Sequence, residues 1–177
     1  MTPRLNRCLC FCICFVAFAA GFAKADNAFA VSSPDFAPGR PIPPKFGYHQ
    51  QNISPALRIE NIPTNAKSLV LIMDDPDSPS GLWTHWLVWN LPANTTAIAQ
   101  GKLPPDAREG KNSFGHFRYD GPAPPSGTHR YFFRLYALDQ PFFPKFRTSS
   151  ERADILTGME GHVVGKAETF GIYSASP

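Results

Sequence analysis

The chain has 177 residues, room for one domain of ordinary size, and a formal net charge of +3. The first 25 residues hold three of its 17 basic residues and none of its 14 acidic ones. The remainder is therefore close to neutral, which gives a nucleic-acid partner no electrostatic support.

The amino-terminal segment has the pattern of a secretory signal peptide. Arg4 and Arg7 precede an apolar stretch over 8–23, and the Ala-Lys-Ala sequence at 23–25 fits a small-x-small cleavage motif. Because the apolar stretch is short for a bilayer span, a cleaved signal is the better interpretation than a membrane anchor. We predict cleavage after Ala25, with Ala30 as the alternative, and a periplasmic or secreted product without a membrane span.

The cysteines belong to the same segment. The chain has four, Cys8, Cys10, Cys12 and Cys14. The mature chain, predicted as a single domain over 26–177, therefore has no disulfide, no cysteine-ligated metal and no cysteine nucleophile. A chain without thiols suits an oxidising compartment.

Short apolar runs separated by loops rich in proline and glycine follow the signal. With 19 prolines and 13 glycines, this pattern is typical of an all-β domain with long connections. The runs predicted as strands are, in chain order, 29–33, 56–59, 69–73, 83–91, 129–138 and 163–173.

One short helix is predicted near the carboxyl end, over 150–160. Apolar residues recur there at helical spacing, and Ser149 or Ser150 can cap the start. Gly161 fits the end of the helix. The glycines and β-branched residues after it favour a last strand over a longer helix.

A first group of reactive side chains lies around the third predicted strand. That strand ends in a turn that carries Asp74, Asp75 and Asp77, and the next strand contains His85. Carboxylates and an imidazole on loops above a rigid sheet are typical of a binding or catalytic site. Taken alone, however, an Asp-Pro-Asp turn usually serves only to bind backbone amides.

A second group follows a rigid proline-rich loop over 119–128, where the next strand opens with His129, Arg130 and Tyr131. The segments DDPDSP with THWLVWNLP, and GPAPPSGTHRYFFRLYALD, resemble the two signatures of the phosphatidylethanolamine-binding protein (PEBP) family. The branch they resemble is the bacterial, Raf-kinase-inhibitor-like one. The resemblance extends over about 29–173.

The resemblance implies a mainly-β fold, a PEBP-like sandwich of two antiparallel sheets with a short C-terminal helix. It also implies a small pocket that binds phosphate-like or acetate-like anions and phospholipid head groups. Matched motif by motif, the ligand-binding positions are Asp75, Asp77, His85, Ala123, His129 and Tyr131.

The residues themselves favour the same chemistry. An imidazole bonded to a carboxylate is held in one tautomer and becomes more basic, and two such rings beside turn amides prefer an anion. We expect Asp75 or Asp77 to accept a hydrogen bond from His85 or His129. The loop departs from the family at Ala123, where many bacterial members have cysteine. Asp120 adds an acid near the mouth, which would weaken anion binding or pair with Arg118.

Two alternatives remain at this point. Two histidines and an aspartate could hold a metal, but the sequence has no HxH or HxxxH spacing and the resemblance implies none, so we expect no metal and no cofactor. A hydrolase of phosphate or carboxylate esters would use Asp75, His85 and His129, although no Gly-x-Ser-x-Gly motif is present. We expect a binding protein that inhibits or modulates a partner, and not an enzyme. The partner and a homodimeric state stay open.

Overall fold

The structure is a computed structural model that describes residues 28–141 and 151–175. The predicted signal segment and the predicted serine caps at 149 and 150 lie outside the described residues. The elements are β1 Ala30–Ser32, a 3₁₀ turn Pro44–Phe46, β2 Leu57–Glu60, β3 Ser68–Asp75, β4 Trp83–Pro92, β5 Ala97–Ile98, β6 Arg108–Glu109, β7 Thr128–Leu138, α1 Arg152–Met159 and β8 Val163–Ser174.

The strands form two antiparallel sheets. The smaller has the order β1-β2-β5, and the larger has the order β6-β4-β3-β7-β8. The prediction of a mainly-β fold with two antiparallel sheets and a short α-helix is confirmed. The last apolar run is a strand, as the glycines in it indicated.

The core lies on both faces of β3, the central strand of the larger sheet. All eight of its residues are buried, which explains why residues 69–73 form a continuous apolar run and do not alternate with polar residues. Leu69, Leu71 and Met73 pack into the main core between the sheets. Val70 and Ile72 face the opposite way, into a second apolar cluster.

Helix α1 covers that second cluster. Ile155 and Met159 are the buried residues of the helix and pack against the outer face of the larger sheet. The helix begins after Glu151, whose backbone N–H lies 3.4 Å from the Asp154 carboxylate. Gly161 follows its end with a positive φ of 79°, a conformation that glycine adopts without strain.

Two strands were not predicted from the sequence. β5 and β6 have two residues each, too few to show the alternation on which a strand prediction rests. Within residues 28–141 and 151–175, no helix is long and apolar enough to cross a bilayer.

The sheet order also explains how the reactive residues meet. β3 lies between β4 and β7 and is antiparallel to both, so its carboxyl end adjoins the amino ends of its two neighbours. Asp75 pairs with Trp83 in β4, and Asp74 pairs with Phe132 in β7. Residues that are 54 positions apart in the chain are therefore brought to one edge of the sheet.

Candidate functional site

Asp75 is the centre of this edge. Its carboxylate is buried, with 3% of the residue exposed. One oxygen accepts the backbone N–H of Asp77 at 2.8 Å, and the other lies 2.8 Å from Nδ1 of His129. Since a carboxylate only accepts, Nδ1 of His129 carries the hydrogen, and Nε2 is the remaining nitrogen of that ring.

His85 is fixed by a backbone group. Its Nδ1 donates to the carbonyl oxygen of Asp120 at 2.8 Å, which again leaves Nε2 as the uncommitted nitrogen. Burial lowers the pKa of His85, against the opposing effects of the Asp120 carbonyl and the negative charge of Asp75. In the neutral ring that burial favours, Nε2 carries a lone pair.

Tyr131 lies behind His85. The tyrosine is fully buried and its ring meets the imidazole edge to face, with centroids 5.2 Å apart. Among the described residues its hydroxyl has no hydrogen bond of ordinary geometry. Burial, followed by the negative charge of Asp75, raises the pKa of Tyr131, so the phenol keeps its proton.

Asp77 is committed to a different partner. Its carboxylate accepts the side chain of Arg130 twice, at 2.7 and 2.9 Å, and the backbone N–H of Arg130 at 2.9 Å. The hydrogen bond from the guanidinium lowers the pKa of Asp77 to about 2, although partial burial opposes it. Asp77 thus ties the turn after β3 to the start of β7, and its charge is compensated at neutral pH.

An open pocket of about 210 Å³ lies over this edge of the sheet. It is lined by Asp75, Ser78, Pro79, Ser80, Trp83, His85, Phe114, Ala123 and Pro125. Three of the residues predicted to bind the ligand, Asp75, His85 and Ala123, therefore form the wall. His129 and Tyr131 support that wall from behind through Asp75 and His85, and Asp77 is held beside it.

The sequence did not identify Phe114, which forms the aromatic part of the wall together with Trp83. Phe114 stacks on Tyr48 with centroids 4.8 Å apart, and it meets Trp83 and His85 edge to face. The loop of Phe114 is irregular and has no periodicity, so nothing in its pattern places it over β4. The pocket therefore combines a carboxylate and an imidazole with an apolar side.

Asp120 does not stand at the mouth of the pocket. The residue is fully buried below it and pairs with Arg118, one of the two outcomes anticipated, at 3.0 Å. His116 also binds its carboxylate, at 2.7 Å. Hydrogen bonds from these side chains and from two asparagines outweigh the effect of burial and lower the pKa of Asp120.

No group of three or more histidine, cysteine, aspartate or glutamate side chains is arranged to hold a metal ion within the described part of the chain. His85 and His129 each donate one ring N–H to a protein oxygen.

Comparison with known proteins identifies the family. Residues 32–174 match the family model of the phosphatidylethanolamine-binding protein. A UPF0098 protein of Methanothermobacter thermautotrophicus is 45% identical over 137 residues, which are 75% of this chain and 89% of that one. A UPF0098 protein of Chlamydia trachomatis is 40% identical over 148 residues, 81% of this chain and 97% of the other.

Solved structures agree. A protein of Chlamydia trachomatis described as a phosphatidylethanolamine-binding protein homologue matches with a TM-score of 0.79 and 39% identity, over 85% of this chain and 99% of that one. YbcL of E. coli, a member of the mammalian PEBP family, gives 0.78 at 28% identity, over 84% and 99%. The chain belongs to the phosphatidylethanolamine-binding protein family, as the two signatures indicated.

Proposed function

We propose that this protein is an exported binding protein whose pocket holds a small anion, either free phosphate or the phosphate of a phospholipid head group. The observation that carries the proposal is the orientation of His85. The ring lines the pocket, and its Nδ1 is committed to the Asp120 carbonyl. An anion at Nε2 favours protonation of the ring and then accepts a charge-assisted hydrogen bond.

The acids of the site are compatible with an anion because each has a basic partner. Asp75 faces the pocket, and a bare carboxylate there would repel phosphate. Nδ1–H of His129 donates a hydrogen bond to that carboxylate at 2.8 Å, which takes up one of its oxygens. Arg130 does the same for Asp77 with two side-chain hydrogen bonds.

We propose binding and not turnover. The hydroxyl groups in the pocket wall belong to Ser78 and Ser80, in the turn between β3 and β4. Neither forms a hydrogen bond to a histidine among the described residues, and such a bond is what activates a serine nucleophile. The Asp75–His129 pair therefore serves as a support for the anion in this proposal.

Calorimetric titration of the purified protein with phosphate and with phosphoethanolamine tests the proposal. We expect saturable binding at one site per chain. Incubation with a chromogenic phosphate ester and a chromogenic carboxylate ester provides the second arm, for which we expect no turnover. Turnover that is abolished by His85→Ala would support the hydrolase alternative. Failure to bind both phosphate and phosphoethanolamine would contradict the proposed function.

The proposal also includes a partner protein. Export after cleavage of the first 25 residues would place the pocket in the periplasm or outside the cell, where phospholipid head groups are available and a kinase target is not. The protein would then modulate an exported partner, alone or as a homodimer. Crosslinking in intact cells, followed by identification of the bound proteins, tests this part independently of anion affinity.

A further inference from the structure

A buried carboxylate that the proposed function does not use lies below the pocket. Asp120 has no exposed surface and does not line the pocket. One carboxylate oxygen accepts from two side chains at 3.0 Å each, and the other accepts at 2.9 and 2.7 Å. The four donors are Asn52, Arg118, Asn112 and His116.

The backbone of the same residue holds His85. The Asp120 carbonyl accepts Nδ1–H of His85 at 2.8 Å, and the Asp120 N–H donates to the His85 carbonyl at 3.1 Å. The next residue, Gly121, donates its N–H to Asn52 at 2.7 Å. Both the side chain and the peptide of Asp120 are therefore fixed, and His85 is bonded to the fixed peptide.

We propose that Asp120, with its four donors, is a positioning device for the pocket imidazole. It sets the Nδ1–H tautomer of His85 and directs Nε2 to the ligand, so it controls anion affinity without touching the anion. A carbonyl oxygen can only accept a hydrogen bond. While the Asp120 peptide stays in place, the Nε2–H tautomer of His85 would lose this bond, and the lone pair of Nδ1 would face a lone pair of the carbonyl oxygen.

The hydrogen bonds around Asp120 also fix the loop that carries Phe114 in the pocket wall. Asn112, which donates to Asp120, accepts the backbone N–H groups of Phe114 and His116, both at 3.0 Å, through its own side-chain oxygen. Phe114 lines the pocket and meets the His85 ring at 5.4 Å. Loss of the carboxylate should therefore loosen two parts of the pocket together.

Two variants test the proposal. Asp120→Asn keeps the size of the side chain but replaces an acceptor oxygen with a donor, so it removes part of the device. Because a buried substitution can prevent folding, the second variant is His116→Ala with Arg118→Ala, which removes the two partly exposed donors from the surface side. His162→Ala is the matched control, since it deletes a half-exposed histidine–aspartate pair of 3.0 Å elsewhere in the fold.

The readouts are the tautomer of His85, from imidazole-nitrogen NMR, and phosphate affinity. We expect both test variants to populate a mixture of His85 tautomers and to bind phosphate about tenfold more weakly, by analogy with the loss of affinity when the group that orients a metal-binding histidine is removed. The His162→Ala control should keep the single tautomer and the full affinity. A role confined to stability would instead lower the melting temperature without changing the tautomer.

The affinity readout rests on the proposed function, and the tautomer readout does not. If the unmodified protein binds neither phosphate nor phosphoethanolamine, the proposed function is wrong, and the NMR experiment still decides whether Asp120 positions His85. If the unmodified protein binds phosphate, while the folded test variants retain both a single Nδ1–H tautomer and unchanged affinity, the positioning role is refuted.

Discussion

His85 gives the anion site a definite dependence on pH. Burial lowers its pKa below the ordinary 6.5, so the ring is neutral in the free protein at neutral pH. A bound anion stabilises the protonated ring, so binding should take up a proton. Affinity should increase as pH falls from neutral into the acidic range and level off once the free protein is protonated at His85.

Sulfate is the suitable probe for this prediction because its charge does not change over that range. Titrations in buffers with different ionisation enthalpies measure the number of protons taken up on binding. His85→Gln is the matched variant, since it cannot be protonated. Affinity for sulfate that is independent of pH in the unmodified protein, or that increases with pH, would contradict the role of His85.

The Asp77–Arg130 pair makes a separate contribution, to stability in acid. The guanidinium lowers the pKa of Asp77 from 3.8 to about 2. A lowered carboxyl pKa stabilises the folded state above the unfolded pKa, and this stabilisation is lost as pH falls from about 4 through about 2. Asp77→Asn should therefore lower the free energy of unfolding slightly at neutral pH, and the difference from the unmodified protein should vanish in strong acid.

Urea denaturation at several pH values measures this difference. The effect should be small because the pair is partly exposed, with 53% of the Arg130 side chain accessible. Addition of salt at neutral pH should reduce it further. A difference that persists at the lowest pH would mean that Asp77 contributes through packing or backbone hydrogen bonds and not through its charge.

For individual residues, the sequence predicted which acidic and histidine side chains would lie near one another, but not all of their hydrogen-bond partners. It anticipated a pair between one of two aspartates and one of two histidines, and the structure forms Asp75–His129. Their role in ligand binding stays a prediction. The partner of His85 is a backbone carbonyl, which every residue possesses, and the partner of Asp77 is decided by the register of β3 on β7. Neither has a signature in the sequence.

Helix α1 is stabilised mainly by the side chains it buries against the larger sheet. Ile155 is 1% exposed and packs in the cluster with Val70, Ile72 and Leu87. Ile155→Ala should lower the free energy of unfolding by about 2–5 kcal/mol, because it removes apolar contacts and leaves a cavity. Phosphate affinity should be unchanged, since the site lies at the end of β3.

Thr157→Ala, on the exposed side of the same helix, is the control and should change stability by no more than about 0.5 kcal/mol. Chemical denaturation of the two variants gives the comparison. If Ile155→Ala lowered the free energy of unfolding no more than Thr157→Ala does, Ile155 would not be packed against the larger sheet.

The long strands were predictable from the sequence, and the two-residue strands were not. β3, β4, β7 and β8 have eight to twelve residues and are clear in the sequence, because long runs accumulate enough apolar and β-branched residues. β5 and β6 exist only because their backbones find partners in β2 and β4. The pairing of distant segments is a tertiary effect, and no local pattern reports it.

For the whole molecule, the sequence predicts a product that begins after the signal segment. The protein recovered from the cell envelope should begin at Asp26, or at Val31 if cleavage follows Ala30. It should also contain no titratable thiol, since all four cysteines precede residue 25. Amino-terminal sequencing and a thiol assay under denaturing conditions measure both. A protein that begins at Met1 or Thr2 would refute export by this route.

The central claim is that an anion binds beside His85, with Asp75 compensated by His129. Calorimetric titration of phosphate into His85→Ala, His129→Ala and His162→Ala tests it most directly. We expect His85→Ala to lose about 1.5–3 kcal/mol of binding free energy, the value for a hydrogen bond to a charged group, while the fold is retained. His129→Ala should also weaken binding, because Asp75 would then face the anion without its hydrogen-bond partner. The His162→Ala control should bind as the unmodified protein does. Unchanged affinity in both pocket variants would show that the anion binds elsewhere.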